Sequence, residues 1–264
     1  MMIVEKDVWL SEQLGCDAFR VAVELRTGRD EGEIQSRVNP AVHFFASCFP
    51  ARAEKDQPAF YYAKVPTQQV ATVAMLTTLG FRVVDVNITL SCMPQMITNP
   101  RSHAGFIVRE ATARDADVIL TIAGSCFRSS RFHLDPEISL ERANAIKRAW
   151  VQSYFDRRRG ERLLAAFVDE QPVGFLAILE TQVNGKLGQV IDLVGVDQSQ
   201  QRAGVGKALV GAFLVECTKR GTVAVVGTQG ANVPSLRLYE AMGFRICETT
   251  YVLHAHVGRG GVGQ

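Results

Sequence analysis

Closely spaced cysteines are missing from this chain. The six present, Cys16, Cys48, Cys92, Cys126, Cys217 and Cys247, form no CxxC pair. That excludes zinc ribbons and small disulfide frameworks, and reduced, mostly buried thiols are expected. Also missing is an apolar stretch of about 18 residues, the length of a membrane-spanning helix. The opening MMIVEKDVWL carries Glu5, Lys6 and Asp7 where a secretory apolar core would lie. A cytoplasmic location with no membrane partner is therefore expected. Charge of one sign is lacking too. The formal net charge is only +2, with 10 basic and 11 acidic residues in 1–103 and 19 and 16 in 104–264, so no segment forms a nucleic-acid arm.

What the chain does have is apolar material. With 264 residues, 47% hydrophobic and 21% charged, it can bury two modest cores, and two domains are expected. FRVAVEL (19–25) alternates like a strand, and the charged stretch 26–37 reads as a loop or surface helix. AFYYAKV (59–65) is strand-like, Thr67 can cap a helix QQVATVAMLTTL, Gly80 ends it, and FRVVDVNITL (81–90) returns as a strand. This β-α-β unit is followed by 91–103, which has neither helical nor strand period and reads as a linker. The boundaries are thus 1–103 for a smaller α/β domain and 104–264 for a second domain.

The second domain begins with FIVREAT (106–112), a helix from Ala113 to about Cys126, the irregular FRSSRFHLDPEIS and a helix to about Arg158. RLLAAFVDE and PVGFLAILET are joined tightly at Glu170 to Pro172, and Asn184-Gly185 turns into QVIDLVGV (189–196). A helix from Gly204 to Lys219, the strand TVAVVGT, a helix from Asn232 to Met242 and the strand FRICETTYVLH complete a mixed, mostly antiparallel sheet flanked by helices. Gly80-Phe81-Arg82 repeats as Gly243-Phe244-Arg245, and AFYYAKV then falls on TVAVVGT. The first domain looks like a worn copy of part of the second, with two unrelated β-α-β units as the alternative.

The most informative segment is VDQSQQRAGVGKALV (196–210), which leaves a strand, carries glycines and enters a helix. A helix start offers N–H groups without intrahelical partners and the positive end of the dipole, so an anion can be held there. Leu209 replaces the third glycine of a dinucleotide fingerprint, and Ala208 follows Gly206-Lys207 where a Walker A loop needs Ser or Thr. What fits is Gln/Arg-x-x-Gly-x-Gly/Ala, through Gln201, Gly204 and Gly206. Further on, NVPSLRLYEAMGF (232–244) fits Asn-x-x-Ser/Ala-x-x-x-Tyr-x-x-x-Gly-Phe.

On these two motifs the sequence resembles the GCN5-related N-acetyltransferases (GNAT). The resemblance implies an α/β fold of GNAT type in 104–264, a degenerate half-copy without the loop in 1–103, and acetyl-CoA as co-substrate with no metal. It implies a diphosphate held by Gln201, Arg202, Ala203, Gly204, Val205, Gly206 and Lys207. It also implies a strand that splays from its neighbour, so that backbone N–H groups of Leu193, Val194 and Val196 polarise the thioester. Asn232, Ser235 and Tyr239 fall on one helix face, and Tyr239 is expected to protonate the departing sulfur. Asp192, acidic on an apolar strand, is a candidate base for the amine, with a structural aspartate as the alternative.

Ser130, Arg131, Phe132 and His133 lie in the irregular loop, where the resembled fold shapes its acceptor pocket. Arg131 can pair with a diphosphate, Phe132 can cover a ring, and Asp135-Pro136 can start a helix. With Trp150 and Tyr154 on the next helix and the ending TQGANVPSLRLY, the plan is similar to the bacterial TDP-fucosamine N-acetyltransferases. That implies a nucleotide-linked amino sugar as acceptor. A peptide N-terminus, amino acid, polyamine or antibiotic stays open, as do a homodimer and a non-catalytic acyl-CoA-binding module. The loop departs from that family in continuing His-Leu-Asp-Pro, and Asp192 stands where a small residue is expected. His254 and His256 form an HxH with no acidic partner nearby in sequence, which argues against metal. Arg157 to Arg159 reads as a solvated helix end and 258–264 as a loose tail.

Overall fold

The computed structural model describes residues 2–23, 58–93, 105–160, 162–183 and 185–258. The stretch 26–37, Cys48, most of the expected linker, Asn184 and most of the tail lie outside them. The described residues divide into two units, one of 1–86, 134–137 and 249–264, the other of 87–133 and 138–248.

In the first unit the strands β1 (Met2–Lys6), β2 (Asp17–Val23), β3 (Ala59–Pro66) and the far half of β10 (Arg245–Val257) lie side by side in that order. β2 and β3 are parallel, and the other pairs are antiparallel. Helix α1 (Val8–Leu14) starts where the Asp7 carboxylate accepts the Leu10 N–H at 2.9 Å. Helix α2 (Val70–Thr78) lies in the segment expected for it, but Gln69 is its N-cap. Thr67 instead meets Thr249, hydroxyl to hydroxyl, at 2.6 Å. Phe19, Tyr61, Leu76, Phe81 and Leu253 form this unit's core.

The second unit has the strand order β4 (Arg82–Cys92), β9 (Val223–Gln229), β8 (Lys186–Val196), β7 (Gln171–Val183), β6 (Arg162–Val168), β5 (Ile107–Glu110). Only β8 and β9 pair in parallel. Period-two alternation on β7 serves two cores. Leu176 and Ile178 join α5 (Val205–Arg220) and α6 (Val233–Ala241), whereas Phe175 and Ala177 join α3 (Ala116–Ala123) and α4 (Leu140–Phe155). Each large side chain so buried contributes about 1.5–3 kcal/mol. The tight β6–β7 turn places both Asp169 and Glu170 at positive φ (45° and 63°), the twist a two-residue hairpin requires.

The expected boundary at 103 needs correction. β4 continues to Cys92 and pairs with β9, so Ser91 and Cys92 are strand rather than linker. Beyond Thr249, β10 pairs with β3, which assigns 249–264 to the first unit. Asp135 starts no helix, since α4 begins after Ser139, and the Asp135 carboxylate accepts the Glu137 N–H in a local turn. The five described cysteines, Cys16, Cys92, Cys126, Cys217 and Cys247, are free thiols, and no described helix is long and apolar enough to cross a membrane.

Candidate active site

The segment after β8 is shaped by two kinds of constraint. The Asp197 N–H donates to the Val173 carbonyl at 2.9 Å and the Asp197 carboxylate accepts the Ser199 N–H at 2.8 Å, so the turn is tied down. Arg202 (φ 67°) and Gly204 (φ 98°) then reverse the chain in left-handed conformations and deliver it into α5. Gly204 is the N-cap, and no side chain caps α5. The first N–H groups of the helix consequently face outward, with exposed Lys207 in the first turn. A Cβ on Gly204 would meet only Phe106, at 3.9 Å. This end of α5 can accept an anion.

Next to it the sheet opens. β8 and β9 pair from Gly188↔Val223 to Ile191↔Val226 and no further, while β8 stays on β7 as far as Val196↔Gly174. The β7–β8 register shifts between Ala177↔Leu193 and Ile178↔Ile191, which leaves Asp192 as the bulged residue. Since Asp197 donates towards β7, strand alternation turns the Gly195 and Leu193 N–H groups the same way and those of Val194 and Val196 into the opening. Leu193 is therefore a correction, because its N–H faces β7. The Val196 N–H is directed at the Cys126 thiol, whose pKa burial pushes up to about 12. Close approach here depends on Gly195, where a Cβ would lie 2.5 Å from the Phe175 ring and 2.8 Å from the Cys126 sulfur.

Tyr239 is 2% exposed, and its ring meets Phe244 edge-on at 5.7 Å. Burial raises its pKa, so it keeps its proton, and its hydroxyl has no hydrogen-bond partner among the described residues. Asn232 does not share a helix face with it. Asn232 is the N-cap of α6, accepting the Ser235 N–H at 3.4 Å and donating to the Thr228 hydroxyl at 3.4 Å.

Asp192 is bound on all sides. One carboxylate oxygen accepts from the Trp150 indole at 2.8 Å, the Tyr154 hydroxyl at 2.7 Å and Arg159 Nε at 2.8 Å, and the other accepts from Arg159 at 3.0 Å. Burial alone would raise its pKa, but the bonds and charge of Arg159 and the bonds from Tyr154 and Trp150 outweigh burial and hold it below the ordinary carboxylate range. A depressed, saturated carboxylate is a poor proton acceptor, so the geometry favours the structural alternative for Asp192 over the base. Trp150 and Tyr154 have these polar atoms committed to it, and Arg159 is a half-buried ion-pair partner rather than part of a solvated helix end.

In the acceptor loop, the Ser130 hydroxyl and His133 Nδ1 lie 2.6 Å apart, and His133 Nε2 is 3.0 Å from Asn144 Oδ1. Because the amide oxygen only accepts, Nε2 carries the proton and Nδ1 accepts from Ser130. Burial lowers the His133 pKa. Phe132 is 1% exposed, with Arg131 over its ring at 4.5 Å. It cannot cover a ligand, which corrects its expected role. Elsewhere, in the first unit, the HxH does have an acidic partner. Asp135 Oδ2 lies 2.6 Å from His254 Nδ1 and 2.9 Å from His256 Nε2, hydrogen-bond lengths shorter than ligands around an ion adopt.

Missed in the sequence were Arg159 and Lys147. Lys147 belongs to the buried stripe of α4 with Ala143, Ile146, Val151 and Tyr154, and a lysine on an apolar face was the available signal.

The fold is the GNAT fold. Residues 121–244 match the model of the Acetyltransferase (GNAT) family, which spans both motifs. The match takes in a little under half of the chain and supports an N-acetyltransferase activity; the matching family uses acetyl-CoA as co-substrate. Over 261 residues it is 22% identical to the "Spore coat polysaccharide biosynthesis protein SpsD" of Bacillus subtilis (strain 168), covering 98% of this chain and 84% of the relative. Over 157 residues it is 28% identical to the mycothiol acetyltransferase of Saccharomonospora viridis, covering 57% of this chain and 49% of that one. A GCN5-related N-acetyltransferase structure from Sphaerobacter thermophilus superposes with a TM-score of 0.64 at 14% identity, over 100% of this chain and 78% of the other.

Proposed function

We propose that the chain acetylates the primary amine of a nucleotide-linked amino sugar by direct attack on the thioester of acetyl-CoA. The observation that carries the transfer is the opening of β8 from β9 directly before an uncapped helix start. Acetyl-CoA, when bound, supplies an acetyl group already activated as a thioester. Residues Gln201 to Lys207 hold the diphosphate, chiefly through main-chain N–H groups, and Lys207 adds a positive charge. The Val194 N–H faces the carbonyl oxygen and stabilises the charge that grows there, while the Val196 N–H is engaged with the Cys126 thiol. Asn232 and Ser235 fix the start of α6 and thereby the place of Tyr239. Tyr239 donates its proton to the departing sulfur, a transfer uphill for a phenol unless it is concerted with C–S cleavage.

Asp192 acts by position, holding Trp150, Tyr154 and Arg159, and water or solvent takes the amine's proton. The acceptor lies against Arg131, His133 and the ring face of Trp150. The sugar part of the reading is supported by the relative aligned over nearly the whole chain, whose name places it in polysaccharide biosynthesis. The test is release of free CoA from acetyl-CoA with a dTDP-linked 4-amino-4,6-dideoxyhexose, free glucosamine, spermidine and an amino-terminal peptide. The dTDP sugar is expected to give the largest kcat/KM. Preference for spermidine or the peptide would overturn the acceptor, and no release with any amine would overturn catalysis.

A further inference from the structure

Lys147 has no part in the mechanism above, yet it is only 6% exposed. Among the described residues its ammonium has neither a hydrogen bond nor an ion pair. It faces instead the rings of Phe127, 5.0 Å away, and Trp150, 4.6 Å away. Ring faces attract a cation but compensate only part of the loss of water around a buried charge. The carboxylate that acts on it, Asp192, has its oxygens occupied by Arg159, Tyr154 and Trp150. Arg131 and Arg159 act on Lys147 as like charges. Among the described residues, the charged groups acting on Lys147 are therefore two guanidinium groups and a carboxylate already committed to one of them.

We propose that Lys147 binds an oxyanion carried by the acceptor, a phosphate or a carboxylate, and so selects acidic amine substrates. The inference rests on the acetyl-transfer reading and adds to it a residue that reads the acceptor's charge. The two rings flank the ammonium and, among the described residues, its N–H groups have no protein partner, so an entering oxyanion would gain charge-assisted hydrogen bonds without first displacing one. Burial first, and Arg131 next, push the Lys147 pKa down to about 8, against the opposing pull of Asp192 and the Cys126 thiol. His133, on which both Lys147 and Arg128 act, is a further titratable group of this neighbourhood, as is Tyr154 beside Asp192. An oxyanion would hold the lysine protonated, and affinity should fall as pH rises through about 8, where the free lysine loses its charge.

The experiment is calorimetry on protein saturated with CoA, so that the helix start of α5 is occupied, titrated with dTDP in one arm and L-glutamate in the other. Binding of dTDP would identify a phosphate, and binding of glutamate a carboxylate. Lys147→Met is expected to weaken the bound anion by tenfold or more and to abolish the pH dependence near 8. CoA affinity and melting temperature should be retained, because the variant removes a buried charge without stranding a partner. Lys147→Gln should behave alike, and Lys147→Arg should restore part of the affinity. Undiminished anion binding by both neutral variants would overturn the proposal, as would wild-type protein that binds CoA but neither anion. Failure of the wild type to bind CoA would instead overturn the acetyl-transfer reading beneath it.

Discussion

Replacing Asp192 by Asn separates a clamp from a base. The carboxylate accepts four hydrogen bonds, two of them from a guanidinium, and its side chain is 10% exposed. An amide of the same shape has one accepting oxygen, brings an N–H₂ group against another donor and leaves Arg159 without its counter-charge. Breaking a buried pair by removing one partner costs about 3–5 kcal/mol. Arg159 is 39% exposed and can recover some water, which puts the expected loss near the lower end, about 3 kcal/mol. For a chain of this size that lowers the melting temperature by roughly 6–12 °C. The pH dependence has a definite sign. Asp192 has a depressed folded-state pKa, so its contribution is complete above the unfolded value of about 4 and is lost as pH falls through the folded one. The gap between wild type and variant should be constant near neutrality and close in acid. Urea denaturation at several pH values measures it. If the variant were as stable as wild type while kcat fell by the roughly 10²–10⁴ of a lost general base, the clamp would be refuted.

Two further outcomes are expected at the other end of the site. Tyr239→Phe should lower kcat by about 10²-fold with the KM for acetyl-CoA unchanged, since only the proton is removed. Steady-state CoA release measures this, and full turnover would take Tyr239 out of the mechanism. Gly204→Trp places a side chain where the diphosphate would lie and forces an L residue to φ near 98°, which by itself costs about 1–2 kcal/mol. CoA affinity should drop by about tenfold or more, and calorimetry showing wild-type affinity would mean that the anion binds elsewhere.

Local patterns in the chain announced the strands and helices well. AFYYAKV, the helix ended by Gly80, the paired strands around Glu170 and the glycine turn into α5 all lie where their composition put them. Two helices began elsewhere for reasons of side-chain geometry, since Gln69 rather than Thr67 precedes α2, and Asn232 is spent as a cap. The glycine turn into α5 was readable because its shape depends on neighbours a few residues away. The environment of Asp192 was not, because its partners lie 33 to 42 residues away in sequence and only tertiary folding brings them together. The same holds for Asp135, which meets His254 across 119 residues. Lys147 stood in plain view on an apolar stripe, but a stripe alone does not say what else borders it.

The convergence of Trp150, Tyr154 and Arg159 on one strand residue has a consequence for engineering and for divergence alike. A graft of the 140–159 segment from another enzyme, made to import its substrate preference, would strand the aspartate unless position 192 travelled with it. Natural drift meets the same epistasis, so these four positions should turn over as a set across lineages.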